Sequence, residues 1–115
     1  MLGQEARELL AKLPVAIVVV AEPGVIRWLN PRAEKLLGLP PEKLFDRLVF
    51  DIVHPDDRKL AAERVGAQFS AETRAPGQYR IVRDNGTVLR IAVESVTAVI
   101  DGENCLITVM READA

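Results

Sequence analysis

The side chains with chemical potential in this sequence are few: one histidine (His54), one cysteine (Cys105), the adjacent carboxylates Asp56 and Asp57, and Asp46 and Asp51 with Tyr79. A structural or catalytic metal needs several ligand-type residues, and the chain has neither a second histidine nor a cysteine cluster. His54 therefore reads as a helix-entry residue bonding nearby backbone, and Cys105, on an apolar run, as a small buried hydrophobe. Adjacent helical residues diverge by about 100°, so Asp56 and Asp57 do not share a face for acid–base work. Their place in a first helical turn suits the positive end of the helix dipole. Asp46, Asp51 and Tyr79 would form a site of shifted pKa only if the fold gathered them, which their spacing does not predict. The glycines are isolated, so no phosphate-cradling loop is present, and no nucleophile elbow or kinase signature occurs. The sequence assigns no catalytic and no metal-binding residue.

The totals narrow the class further. Hydrophobic residues make up 49% of the chain and charged ones 28%, a balance suited to one globular domain with its own core. Fifteen Lys and Arg stand against 17 Asp and Glu, for a net charge of −2. The basic residues are scattered, which predicts no nucleic-acid footprint. The longest apolar run, Pro14 to Ala21, is too short to span a bilayer, and Glu5, Arg7 and Glu8 interrupt any signal-peptide layout. The expectation is a cytoplasmic protein with no membrane insertion by this segment.

The elements organise around Gly24–Gly38. Val25 to Leu29 is a β-branched and aromatic run that favours a strand. Asn30 is a strong N-cap, Pro31 fits the first helical position, Ala33, Leu36 and Leu37 recur at helical spacing, and Gly38 supplies the stop. Upstream, Leu2, Ala6, Leu9, Leu10 and Leu13 predict an amphipathic helix ended by Pro14. Val15 to Val20 is continuously apolar, which predicts a strand covered on both faces, the second by that helix or by another copy of the protein. Glu42 to Phe45 and Leu48 to Val53 read as short helices. Pro55 then opens a longer helix that turns Leu60, Ala61, Val65 and Phe69 inward and ends near Ala71. Gly77 to Arg83, Val88 to Ile100 and Asn104 to Arg111 are strands, joined by Asn85-Gly86 and Asp101-Gly102 hairpins. On Val88 to Ile100, Leu89, Ile91, Val93 and Val99 take one face and Arg90 and Glu94 the other. The order is helix, two strands, helices, three strands: an antiparallel α+β domain.

Two of these stretches carry a family resemblance. The run G-V-I-R-W-L-N-P-R-A-E-K-L-L-G (24–38) resembles the start of a PAS sensor domain, and H-P-D-D-R (54–58) resembles the entry of that family's long helix. The resemblance covers roughly Leu10 to Glu112. It implies the PAS fold, a five-stranded antiparallel sheet with helices packed over one face and a cavity between them. The division is then a 1–13 amphipathic helix, a 14–112 PAS domain and a 113–115 connector. The family's usual closing Asp-hydrophobic-Thr is replaced by Arg111-Glu112-Ala113-Asp114, with Glu112 the nearest counterpart of the acid and no Thr. The expectation is a piece of a larger signalling protein with a linked or associated output domain, such as a sensor histidine kinase of a two-component system.

The resemblance also implies a site. The cavity walls would come from Ile17 and Val19 or their neighbours, from Ile26, Leu37 and Val109, and above all from Trp28, Phe45, Phe50, Phe69, Tyr79 and Ile91. Haem-binding relatives carry the axial His in the long helix, and Asp56 to Ala71 has none. Flavin photoreceptors of the family hold a reactive Cys on the short helices, and Glu42 to Val53 has none. The resemblance thus argues against haem, a flavin–thiol adduct and a covalent chromophore, and leaves the cofactor unknown. Two functions fit: a regulatory sensor of a small organic ligand signalling through dimer and helix repacking, or a ligand-free interaction and dimerisation module using Leu2, Leu9 and Leu13.

Overall fold

The computed structural model describes residues 3–71 and 77–113. Five strands form one antiparallel sheet: β1 (Ala16–Ala21), β2 (Val25–Leu29), β3 (Gly77–Val82), β4 (Val88–Ile100) and β5 (Glu103–Glu112), in the spatial order β2-β1-β5-β4-β3. Helix α1 (Gln4–Lys12) precedes the sheet. Between β2 and β3 run α2 (Pro31–Leu37), three short 3-10 turns (Pro41–Lys43, Val49–Ile52, Pro55–Asp57) and α3 (Arg58–Ala71). The sequence expectation of an antiparallel α+β domain holds, strand by strand.

The period-two geometry of β1 sorts its apolar run between two cores. Ala16, Val18 and Val20 face the helices and join Ile26, Leu37, Leu44, Ile52, Ile81 and Ile91. Val19 and Ala21 face the other way, against Cys105, Trp28, Ile100 and Ile107. The whole strand is buried, as its continuous hydrophobicity predicts. On the outer face, Val19 and Ala21 pack against side chains of β2, β4 and β5. A bulge between Val19 and Val20 pairs Val19 with Trp28 but Val20 with Ile26. Arg27 is the extra residue, and its guanidinium holds Asp46 and Glu103 at 3.0 and 3.1 Å.

Asn30 is the stitch of the N-terminal half. Its Oδ1 accepts from the Ala33 amide (2.9 Å), as an N-cap should, and also from the Ile17 amide (3.0 Å). Its Nδ2 donates to the carbonyls of Val15 (2.7 Å) and Leu10 (3.2 Å). One fully buried side chain thus ties the end of α1, the start of β1 and the first turn of α2. Gly38, in the left-handed conformation at φ 63°, closes α2 by donating to the Glu34 carbonyl.

Asp57 performs a similar task for α3. Its carboxylate accepts from the Arg80 amide (2.9 Å) and, in bidentate fashion, from Arg80 Nε (3.0 Å) and Nη2 (2.8 Å), fixing the helix entry to β3. Beside it His54 Nδ1 accepts from the Asp56 amide, the local backbone bond expected of a helix-entry residue. The Arg80 hydrogen bonds hold the Asp57 carboxyl at about 2, below its usual 3.8. A carboxyl depressed in the folded state stabilises the fold above its unfolded pKa and ceases to do so as pH falls through the folded one. Asp57→Asn is therefore expected to cost about 1–2 kcal/mol at neutral pH, after allowance for solvent screening. The difference from the parent should vanish between pH 3.8 and about 2, measured by urea unfolding across that range.

Candidate ligand cavity

The cavity lies between the sheet and its helices. Its floor comes from inward residues of all five strands: Val18 and Val20, Ile26, Tyr79 and Ile81, Ile91 to Ser95 at alternate positions, and Leu106, Thr108 and Met110. Its roof is Leu37, Phe50 and the other apolar residues of the second 3-10 turn, and Ala61, Val65 and Gln68 of α3. Phe50 is set by a close backbone approach: a Cβ on Gly24 would stand 2.6 Å from the Phe50 ring. That position needs glycine for space.

The enclosed volume is about 70 Å³. A water molecule occupies about 30 Å³ of liquid, and a cavity that takes benzene has about 150 Å³. The space therefore suits a solute of a few heavy atoms. None of the lining residues carries a charge. Three of the lining side chains are buried and polar: Gln68, Ser95 and Thr108. The Ser95 and Thr108 hydroxyls hydrogen-bond each other across β4 and β5 at 2.8 Å. Burial pushes the Tyr79 phenol up from its ordinary pKa, while the Arg64 guanidinium lies 6.0 Å from the ring centroid.

Of the expected wall residues, Phe50, Tyr79 and Ile91 line this cavity, with Ile26 and Leu37. Trp28, Phe45 and Phe69 do not. Trp28 sits in register with Val19 and packs on the opposite face of the sheet. Phe45 follows the first 3-10 turn, is 37% exposed and lies outside the cavity lining. On α3 the inward stripe is Ala61, Val65 and Gln68, which leaves Phe69 half-buried off the cavity and Leu60 42% exposed. Ile17, Val19 and Val109 lie on the odd-numbered, outer face, whereas their neighbours Val18, Val20, Thr108 and Met110 face in. Gln68, Ser95 and Thr108 were missed because their types suggested surface; the strand parity of Ile91 and Val93 placed Ser95 inward all along. Neither Asp46 nor Asp51 lines the cavity.

Of the dimer candidates, Leu9 and Leu13 are 61% and 45% exposed, and Leu2 lies outside the described residues. Cys105 is buried in the outer cluster, with its thiol pKa raised chiefly by that burial. Among the described residues no group of three or more His, Cys, Asp or Glu stands close enough to hold a metal, and no helix is long and apolar enough to cross a membrane.

The model of the PAS fold matches residues 4–113, and the chain belongs to the PAS family, a regulatory and sensor fold. Solved PAS domains share its architecture. A PAS domain from Desulfitobacterium hafniense superposes with a TM-score of 0.81 at 15% identity, over 92% of this chain and 99% of that one. The PAS domain of a two-component sensor histidine kinase gives 0.80 at 13% identity, over 96% and 95%. The PAS-B domain of Drosophila melanogaster Cycle, with bound ethylene glycol, gives 0.75 at 14% identity, over 85% and 99%. No curated protein sequence matches the chain. The domain is a signalling module of the sensor class.

Proposed function

We propose that this domain senses a small, uncharged organic molecule in its core cavity and passes the signal to a linked output domain, such as a cytoplasmic histidine kinase. One observation carries the reading: the cavity is walled entirely by uncharged residues, among them the Ser95–Thr108 hydroxyl pair, the Gln68 amide and the Tyr79 phenol. A carboxylate or phosphate placed there would lose its hydration without gaining a counter-charge, which costs several kcal/mol or more. A neutral molecule with one or two polar atoms would find apolar walls and a hydrogen-bonding edge, the usual makeup of a ligand site. The structurally similar Cycle domain is described with bound ethylene glycol, a small neutral molecule. Signalling requires that the ligand bind one arrangement of the helices more tightly than another. The test is mass spectrometry of small molecules released by denaturing fresh protein, with an absorption spectrum of the intact sample. A stoichiometric neutral compound supports the proposal. A charged compound, or a Soret or flavin band, overturns it.

A second reading, that the domain dimerises, rests on exposed apolar side chains of α1 (Leu9), of the segment after it (Leu13, Val15) and of the outer sheet face (Val96, Val109). Replacing Leu9 and Leu13 by glutamate should turn a homodimer into a soluble monomer by light scattering. An unchanged mass would remove α1 from the interface.

A further inference from the structure

A second recess lies outside the core, between the 3-10 turns, the start of α3 and the β3–β4 hairpin. It measures about 740 Å³, within the range of small-molecule sites. Lys43, Arg47, Arg58 and Arg83 line it, against Asp51 and Asp84. Four cations facing two carboxylates is a local excess of positive charge in a chain whose net charge is −2.

The three arginines among these cations are bonded differently from Lys43, Arg27 and Arg80. Arg27 and Arg80 each hold carboxylates, and Lys43 pairs with Asp84. The three guanidiniums of the groove are held by carbonyls instead. Arg58 donates from Nε to Val53 (3.0 Å) and from Nη2 to Asp51 (3.3 Å), both at the main chain. Arg47 Nε donates to the Glu42 carbonyl (3.3 Å), and Arg83 Nη2 to that of Leu36 (3.0 Å). The Arg83 stem lies against Gly38, so its course is fixed by packing as well. Among the described residues none of the three has a carboxylate partner. A carbonyl orients a guanidinium without neutralising it, so the forks stand preorganised with their charge uncompensated.

We propose that this groove binds a phosphate-bearing small molecule of nucleotide size. Guanidinium forks match phosphate oxygens in bidentate geometry, and charge-assisted bonds of this kind are the stronger class. The recess is far larger than one phosphate group, and Leu39 and Val82 give it apolar surface for the rest of the ligand. The groove is separate in chemistry from the core cavity, which has no charge, and the proposal stands without the ligand assigned there.

Isothermal titration of the intact protein with ATP, AMP, inorganic phosphate and adenosine tests it. The nucleotides should bind, more weakly as salt rises, and adenosine should not. Arg47→Gln, at an exposed position, and Arg58→Lys, which keeps the charge but loses the fork, should each weaken nucleotide binding by about tenfold, as expected for one charge-assisted hydrogen bond. Circular dichroism confirms that each variant is folded. Absence of binding at millimolar nucleotide, or affinities untouched in both folded variants, overturns the proposal. Adenosine binding as well as ATP would overturn the role of phosphate, and inorganic phosphate binding as tightly as ATP the assignment of nucleotide size.

Discussion

Asn30→Ala is expected to lower the stability of this domain by about 3–5 kcal/mol, a large share of the 5–15 kcal/mol typical of a natural domain. The substitution deletes four hydrogen bonds at a fully buried position. Loss of the N-cap alone costs about 1 kcal/mol. The larger part comes from the Ile17 amide and the Val15 carbonyl, left dry and without their side-chain partner, at about 1–3 kcal/mol each. Asn30→Asp separates the two halves of the effect. Both oxygens accept, so the amides of Ile17 and Ala33 keep their partner, but the carbonyls of Val15 and Leu10 then face a carboxylate. Burial beside two carbonyls raises the folded-state pKa of that Asp above the unfolded value of about 3.9. A raised pKa means the variant is at its most stable below the unfolded value, where the acid can donate to Val15, and loses stability as pH rises through the folded one. Urea unfolding at acidic and neutral pH checks both variants. Equal losses for Asn30→Asp at the two pH values would sink the argument.

Asn30 also marks how far the sequence could be read. Asn-Pro followed by helical spacing announced an N-cap, because capping is a local rule written in adjacent residues. The bonds to Ile17, Val15 and Leu10 come from segments 13 to 20 residues away and depend on where the chain folds back. Strands were legible because hydrophobic runs, Asn85-Gly86 and Asp101-Gly102 mark their ends; β4 matched to the residue. The cavity was half legible. The family resemblance put Trp28 and Phe45 in the wall, but facing is decided by parity and bulges, and the bulge in β2 sends Trp28 outward with Val19. On α3 the amide of Gln68 takes the inward place that hydrophobicity gave to Phe69. A polar residue buried at such a point is invisible to any pattern that equates inside with apolar. Asp57 was read as a dipole partner, and its fork from Arg80 could not be foreseen, since nothing local pairs residues 23 apart.

The Ser95–Thr108 pair gives the cavity a test that separates binding from folding. The two hydroxyls satisfy each other at 2.8 Å inside the core. Ser95→Ala alone leaves the Thr108 hydroxyl buried without that partner and is expected to cost about 1–3 kcal/mol. Replacing both, Ser95→Ala with Thr108→Val, removes donor and acceptor together and should restore most of that loss, because two apolar groups of similar shape need no partner. Coupling between the sites in a double-mutant cycle would thus be large and of restoring sign. A ligand responds differently. If its polar atom shares the hydroxyl edge, the double variant folds as well as the parent yet binds about tenfold or more weakly, since the cavity keeps its size and loses its hydrogen bonds. Ile91→Trp supplies the converse, filling the void at a cost of about 1–3 kcal/mol in packing strain and blocking the ligand by volume. Thermal melts with and without the compound released from the parent protein measure both. A double variant that is stable and still shifts its melting temperature as the parent does would show that the hydroxyl edge takes no part in recognition.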